Sequence, residues 1–201
     1  MTQPPRVQSI VSRALLSLLL VVLALDVGPT AFLFAQEGAA NPQAAGMSEF
    51  QQRLNVYLKL REEMSRRLKP MSTSASATEL AARQEALAAA IRTARKQAKP
   101  GDLIPAPVAA LIVKTCMDDF HFRNPDVKRA ALEEVPNTQR PGINRTYPED
   151  AALATVPPLL LSKLPLLPDN LQYRFFGRSM VILDGDTQII IDYVSNVVPP
   201  R

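Results

Sequence analysis

The sequence predicts an α+β fold: an N-terminal antiparallel helical hairpin plus further short helices, packed on a C-terminal three-stranded antiparallel meander. Between residues 48 and 98, apolar side chains recur at the three- and four-residue spacings of amphipathic helices. After residue 170 the spacing changes to the two-residue alternation of strands. The chain of 201 residues is long enough to bury a single core.

The first 35 residues have the layout of a secretory signal sequence. A polar stretch with Arg6 and Arg13 precedes an apolar run from Ala14 to Leu25. This run is short for a membrane span. We predict cleavage after Ala35, with cleavage after Ala40 or retention as an uncleaved anchor as the alternatives. The sequence therefore predicts an exported protein, periplasmic or extracellular, that meets the membrane only through an uncleaved signal sequence.

Behind the signal sequence the chain divides into a leader and one domain. Residues 36–47 are small and polar without periodicity, which is typical of a flexible leader. Residues 48–199 are predicted to form a single α+β domain. Its parts are a helical region over 48–134, an irregular region over 135–170 and the meander over 171–194.

The first predicted helix opens at Ser48, where Gln51 three residues on completes a capping-box pattern. An apolar stripe follows, with Arg61 at its one polar position, and the helix should end near Lys69, before Pro70. The stripe consists of Phe50, Leu54, Tyr57, Met64 and Leu68.

A second capping box, Ser76 with Glu79, opens the second predicted helix, which should stop at the Lys99-Pro100-Gly101 breaker. Five residues should face inward: Leu80, Leu87, Ile91, Ala94 and Ala98. The short loop between the two helices predicts an antiparallel hairpin.

Shorter helices should follow the hairpin. A third helix is predicted from Pro105 or Ala106 to about Asp118, and Asn124-Pro125 predicts a fourth that runs to about Glu134. The inward candidates of the third helix are Val108, Leu111, Ile112 and Cys116. Pro157–Leu161 could add one or two further turns.

Three strands joined by two turns are predicted at the C-terminus. Leu171, Tyr173 and Phe175 alternate with polar residues, and Gly177-Arg178 turns the chain. Met180–Leu183 is apolar throughout, so helices must cover at least one face of this middle strand.

The last predicted strand follows the second turn, and its residues also alternate between two faces. Ile189, Ile191 and Tyr193 are predicted on one face, with Asp192 on the other.

Three segments resemble a family of uncharacterised exported bacterial proteins. They are IRTARKQAKPGD (Ile91–Asp102), NRTYP (Asn144–Pro148) and the tail Pro157–Pro199. The resemblance implies the same secreted α+β layout and assigns no activity or functional residues. The tail is also similar to the small terminal sheet of periplasmic proteins implicated in nickel and cobalt homeostasis.

Cys116 and His121 are the only cysteine and histidine in the chain. Their proximity in CMDDFHF could indicate a metal site or a thiol nucleophile with a base. A metal needs three or four convergent ligands, which carboxylates would have to supply. We therefore favour a buried thiol and a histidine at a helix end, and predict no catalytic, metal or cofactor residues.

The segment Asp184-Gly185-Asp186-Thr187 is superficially similar to a calcium loop. The acidic residue required at the twelfth position is missing, because Ser195 stands there. An Asp-Gly pair between two apolar runs is the usual signal of a tight hairpin. We predict a turn.

Four cations crowd the end of the second helix: Arg92, Arg95, Lys96 and Lys99. They could contact an anionic partner such as a phosphate, a lipid headgroup or an acidic polymer. Positive charge in a last helical turn is also favourable with the helix dipole alone. The sequence leaves both interpretations open. The same two interpretations apply to Arg174 and Arg178 beside the sheet.

Charge and motifs limit the function. A net charge of +4 is mildly basic and does not identify a partner. A nucleic-acid role would need a dense basic stripe and a compartment that contains nucleic acid, and the export signal argues against such a compartment. The sequence contains no Gly-rich phosphate loop, HExxH helix or GxSxG elbow. We predict a non-catalytic exported domain that contacts an unknown protein or envelope component. A periplasmic metal-responsive or metal-buffering protein, and a carboxylate-dependent hydrolase, are the alternatives.

Overall fold

The computed structural model describes residues 41–128, 140–148 and 156–199. It confirms the α+β prediction, because helices pack on a C-terminal antiparallel meander. The helices are α1 (Pro42–Arg67), α2 (Ala77–Ala94), α3 (Ala106–Phe122) and the single turn α4 (Pro158–Leu161). The strands are β1 (Leu171–Phe176), β2 (Ser179–Asp184) and β3 (Ile189–Val194).

Helix α1 begins at Pro42 rather than at Ser48, so the predicted start was wrong. Ser48 lies inside the helix, and half of the predicted leader 36–47 is helical. Proline suits a first helical turn, because a backbone N–H at that position would have no intrahelical acceptor and its absence costs no hydrogen bond. The early start also buries Gly46, where an added Cβ would lie 2.8 Å from the Cβ of Pro107.

Helices α1 and α2 form the predicted antiparallel hairpin. Arg83, early in α2, donates to Ser65 near the end of α1, whereas Arg95, just after α2, lies over the ring of Tyr57 in the middle of α1. The predicted capping box of Ser76 and Glu79 is present at the start of α2.

The second helix is shorter than predicted and its inward face is narrower. It ends at Ala94 instead of near Lys99, because the chain turns at Arg95. Leu87 and Ile91 are buried as predicted, but Ala94 is exposed and Leu80 is 45% exposed. Leu80 lies one turn before Arg83, whose guanidinium donates to Ser65 and to the Lys69 carbonyl near the end of α1.

Helix α3 extends four residues past the predicted end at Asp118. Val108, Ile112 and Cys116 are buried on its inward face, and Leu111 is half-buried. Residues 125–128 are helical, and the Asn124 side chain accepts the N–H of Asp126 at 2.9 Å, as a cap should. The rest of the predicted fourth helix, to Glu134, lies outside the described residues.

The sheet order is β1-β2-β3, with every residue of the central strand β2 buried. Residues 144–147 run along the free side of β3, where the Tyr147 N–H donates to the Gln188 carbonyl and the Ile190 N–H donates to the Arg145 carbonyl. Within the described ranges, β1 pairs with β2 alone. We call the other side of β1, which pairs with no strand of the described ranges, the open edge of the sheet.

Each face of β2 contributes to a different cluster. Met180 and Ile182 join the main core beneath the helices, whereas Val181 and Leu183 pack with Tyr147 on the opposite face. The prediction that helices cover one face is confirmed.

The predicted alternation of β3 was wrong at Asp192, which is fully buried while Tyr193 is half-buried. A register shift opposite Ile182 and Leu183 interrupts the alternation and places Asp192 opposite Ile182.

Residues Pro42–Arg201 form one compact unit. None of the helices in the described part of the chain is long and apolar enough to cross a bilayer. The predicted signal sequence 1–35, with its cleavage after Ala35, lies outside the described residues.

Candidate functional site

Asp184, at the end of β2, is the centre of a buried polar network. Its Oδ2 accepts hydrogen bonds from the Tyr57 hydroxyl at 2.7 Å and from Arg61 Nε at 2.8 Å. Arg61 also pairs with the exposed carboxylate of Asp186. Burial lowers the pKa of Arg61, but the two aspartates reverse the shift and leave it raised. Burial and the neighbouring Asp184 raise the pKa of Tyr57, so its hydroxyl stays protonated. The network fastens α1 to the β2–β3 turn.

The hydrogen bonds of Asp184 argue against the calcium-loop interpretation of Asp184-Gly185-Asp186-Thr187. The second oxygen of Asp184, Oδ1, accepts the backbone N–H groups of Asp186 and Thr187 at 3.2 and 3.1 Å. Both oxygens of this carboxylate are therefore engaged by protein donors. The segment is a turn, as predicted.

Asp192 is a second fully buried carboxylate, held by the loop that precedes α3. Its side-chain oxygens accept the backbone N–H groups of Gly101, Leu103 and Ile104 at 2.8–2.9 Å. Burial raises the pKa of this carboxyl, and the hydrogen bonds from the backbone N–H groups offset only part of that rise. Asp192 thus fixes the α2–α3 loop on β3 and is not open to a ligand.

The four cations predicted as anionic-partner contacts divide into two groups. Arg92 binds Glu85 and the Thr146 hydroxyl. Arg95 donates to the Ile191 carbonyl at 2.9 Å and to Asn144 Oδ1 at 3.3 Å. The two arginines therefore connect the end of α2 to the sheet and to the segment beside it.

The two lysines of that set, Lys96 and Lys99, are both exposed. Neither side chain forms an ion pair with a described residue. The structure thus does not gather all four cations around one site.

A groove of about 560 Å³ opens between α1 and the end of α2. We call it the hairpin groove. Its apolar lining residues include Val56, Leu60 and Ala98. Arg95 also lines the groove. Val56 is 67% exposed although it lies on the groove wall.

A second groove, of about 400 Å³, lies along the open edge strand. We call it the β1 groove. Tyr173 and Arg174 of β1 form one side, and Leu161, Pro165 and Leu166 form the other. Leu161 is 48% exposed and Leu166 83%. An apolar surface beside an open strand edge is a ready site for a partner segment.

Cys116 and His121 both belong to α3 but lie in different surroundings. Cys116 is buried, and burial, with a smaller contribution from Asp119, raises the pKa of its thiol to about 12. His121 is exposed near the end of α3. The described residues include no cluster of three or more His, Cys, Asp or Glu side chains that could hold a metal ion.

The hydrolase alternative needs a pair of facing carboxylates, and the hairpin groove is lined by Glu49 and Asp102. Arg53 pairs with the Glu49 carboxylate at 2.6 Å, and Asp102 Oδ2 accepts the N–H of Lys99 at 2.8 Å. Both groups are engaged within the fold.

The sequence contained a signal for one of the two buried carboxylates. Arg61 interrupts an otherwise apolar stripe, and a charge in that position needs a buried partner, which is Asp184. Asp192 had no such signal, because its burial depends on the irregular pairing of β2 and β3.

No protein-family model matches this chain, and neither a curated protein nor a solved structure does. The resemblances to exported bacterial proteins and to nickel and cobalt homeostasis proteins stay predictions.

Proposed function

We propose that the chain is an exported, non-catalytic domain that binds a protein or an envelope component, with the β1 groove as its contact surface. The observation that supports this proposal is the exposure of leucines beside the open edge of β1. Leu161 and Leu166 both line the groove, and they are 48% and 83% exposed. Exposed apolar side chains gathered at one place mark interaction surfaces.

The expected mode of binding is strand addition. β1 has a paired neighbour on one side only within the described residues, so its other side offers main-chain donors and acceptors. An extended partner segment would bond to that side and place alternate side chains against Leu161 and Leu166. One anion and one cation, Asp169 and Arg174, line the groove, so a partner segment that carries side chains of both charges would fit it.

A photo-crosslinking residue placed at Leu166 in cells tests this surface. We expect one discrete adduct, because Leu166 is exposed in the groove. The same residue at Leu80, which is exposed on α2, is the matched control and should give none. A Leu161→Asp change should abolish the Leu166 adduct. Equal labelling from Leu166 and Leu80, or none from Leu166, would contradict the proposal.

Export is the other half of the proposal, and it rests on the layout of residues 1–35. Expressed in a Gram-negative host, the protein should be found outside the cytoplasm with Gln36 as its first residue. N-terminal sequencing of the purified protein checks the cleavage after Ala35. An intact leader on a membrane-bound species would instead support the anchored form.

A further inference from the structure

Strand β1 lacks several features that keep edge strands from pairing with other chains. Its six residues pair with β2 in regular register, and the strand contains no proline, no lysine and no bulge. Proteins commonly place such features on exposed strands, because a regular edge is a template for another strand. The open edge of β1 is therefore suited to pair with a further strand of similar length.

The main chain of β1 offers both a donor and an acceptor on its open side. The Asn170 carbonyl accepts the Gly185 N–H at 2.8 Å, so the main chain of Asn170 is turned toward the β2 side. Bonding alternates along an antiparallel pair, which turns Leu171 and Tyr173 to the open edge. The Leu171 N–H donates to the Pro168 carbonyl at 2.8 Å. The Leu171 carbonyl and the Tyr173 N–H then remain for a partner strand.

The two charged residues that line the β1 groove have opposite signs. Asp169 is exposed just before β1, and Arg174 is half-buried in its second half. Neither forms an ion pair with a described residue, and Arg174 donates to the neutral side chain of Gln172 at 2.7 Å. A two-fold axis through the middle of β1 would exchange the positions of the anion and the cation. The charge pattern of the groove is therefore complementary to itself.

We propose that the partner of the β1 groove is a second copy of this chain, which adds its own β1 antiparallel to the first. An axis at Gln172 places Tyr173 opposite Leu171 of the second copy. The Tyr173 N–H then donates to the Leu171 carbonyl across the axis, and symmetry repeats this bond. The two three-stranded sheets thereby join into one continuous sheet.

The same axis brings opposite charges and exposed leucines together. Arg174 lies opposite Asn170 of the second copy and therefore beside its Asp169, and symmetry repeats the pair. Leu161 and Leu166, which are exposed in the single chain, lie where the two copies meet. This inference rests on the proposed function, because it names the partner of the same groove.

Sedimentation equilibrium of the purified protein and its charge-reversal variants tests the proposal. The unaltered protein should form a dimer at micromolar concentration. Arg174→Asp and Asp169→Arg should each weaken the dimer by about tenfold or more, because each turns two attractive pairs into two repulsive ones. An equimolar mixture of the two variants should recover the dimer, because every pair across the axis then joins opposite charges.

The matched control for the sedimentation experiment is Arg66→Asp, which reverses a charge on the exposed surface of α1. It should dimerise as the unaltered protein does. An unaltered protein that stays monomeric would overturn the proposal. A mixture of the Arg174→Asp and Asp169→Arg variants that associates no better than either variant alone would overturn it as well.

The photo-crosslinking residue at Leu166 separates this inference from the proposed function. An adduct with twice the mass of the chain supports the second copy as the partner. An adduct with a different protein or an envelope component keeps the β1 groove as the contact surface but overturns the second copy as its partner. The absence of any adduct contradicts both.

Discussion

Arg61 and Asp184 show how a polar pair can sit at the boundary of an apolar core. The side chain of Asp184 is fully buried and that of Arg61 is 13% exposed. The pair persists because the Tyr57 hydroxyl and two backbone N–H groups satisfy the remaining acceptor positions of Asp184. A buried charge of this kind tolerates the loss of a partner poorly, because the desolvation cost remains when the attraction is gone.

Arg61→Met should therefore lower the free energy of unfolding by about 3 kcal/mol or more, since it leaves Asp184 buried with one fewer donor. The matched control is Arg66→Met. Arg66 pairs with Glu62 at the exposed surface of the same helix, and its removal should cost about 0.5 kcal/mol at most. Denaturant unfolding of the two variants checks the difference. Equal effects would show that the buried pair does not fasten α1 to the sheet.

Cys116 should be unreactive in the folded protein. Its side chain is buried on α3 and the thiolate form is disfavoured. A thiol reagent at neutral pH should label the native protein slowly and the denatured protein rapidly. Fast labelling without denaturant would mean that α3 opens readily or that the thiol is accessible.

The raised pKa of Cys116 also predicts a pH dependence. The folded value of about 12 exceeds an unfolded value of about 8.5, so the folded state keeps a proton that the unfolded state loses. This contribution to stability is fully present below pH of about 8.5 and is lost as the pH rises toward 12. The stability advantage over a Cys116→Ala variant should narrow in that range, as unfolding measured at several pH values would reveal. An advantage that stays constant or grows would contradict this sign.

At the scale of elements, the meander and the hairpin were predictable and the start of α1 was not. Asn41-Pro42 has the same pattern as Asn124-Pro125, which was recognised as a helix start. The stretch after Pro42 lacks an apolar stripe, and Gly46 weakens its helix propensity, so the prediction placed the start at Ser48. Packing decides otherwise, because the missing side chain of Gly46 lets α1 approach Pro107 closely.

Gly46→Ala should therefore destabilise the protein, although alanine is the better helix former. The propensity gain is about 1 kcal/mol, and overpacking against the rigid proline ring costs about 1–3 kcal/mol. Thermal unfolding checks the sign. The control Ser48→Ala should leave stability nearly unchanged, because Ser48 is exposed inside α1. A loss of about 1 kcal/mol at Ser48 would instead indicate a cap at that position.

The candidate sites were less predictable than the elements. The sequence singled out Arg92 and Arg95 as cations at a helix end, but their partners come from segments about 50 and 100 positions away. Local patterns do not report such long-range pairings. The β1 groove had a partial signal, since the sheet edge was recognisable, whereas the exposed leucines beside it resemble core residues in sequence.

At the scale of the molecule, the central claim is that helices and meander share one core. Residues of α1, α2 and α3 pack in the same cluster as Met180 and Ile182 of β2 and Val194 of β3. The polar contacts agree with this arrangement, because Asp184 and Asp192 both receive hydrogen bonds from the helical part. The helices should therefore not persist when the sheet is lost.

The most direct test of this claim is the unfolding of Ile182→Ala, followed by hydrogen exchange of peptides from α1 and from β2 in the same samples. Ile182 is fully buried in the main core, and its truncation should cost about 2–5 kcal/mol. If helices and sheet form one cooperative unit, the free energy of hydrogen exchange of the slowest amides should fall by the same amount in α1 and in β2. Undiminished protection of α1 beside a destabilised β2 would show that the meander is an independent element and would contradict the account.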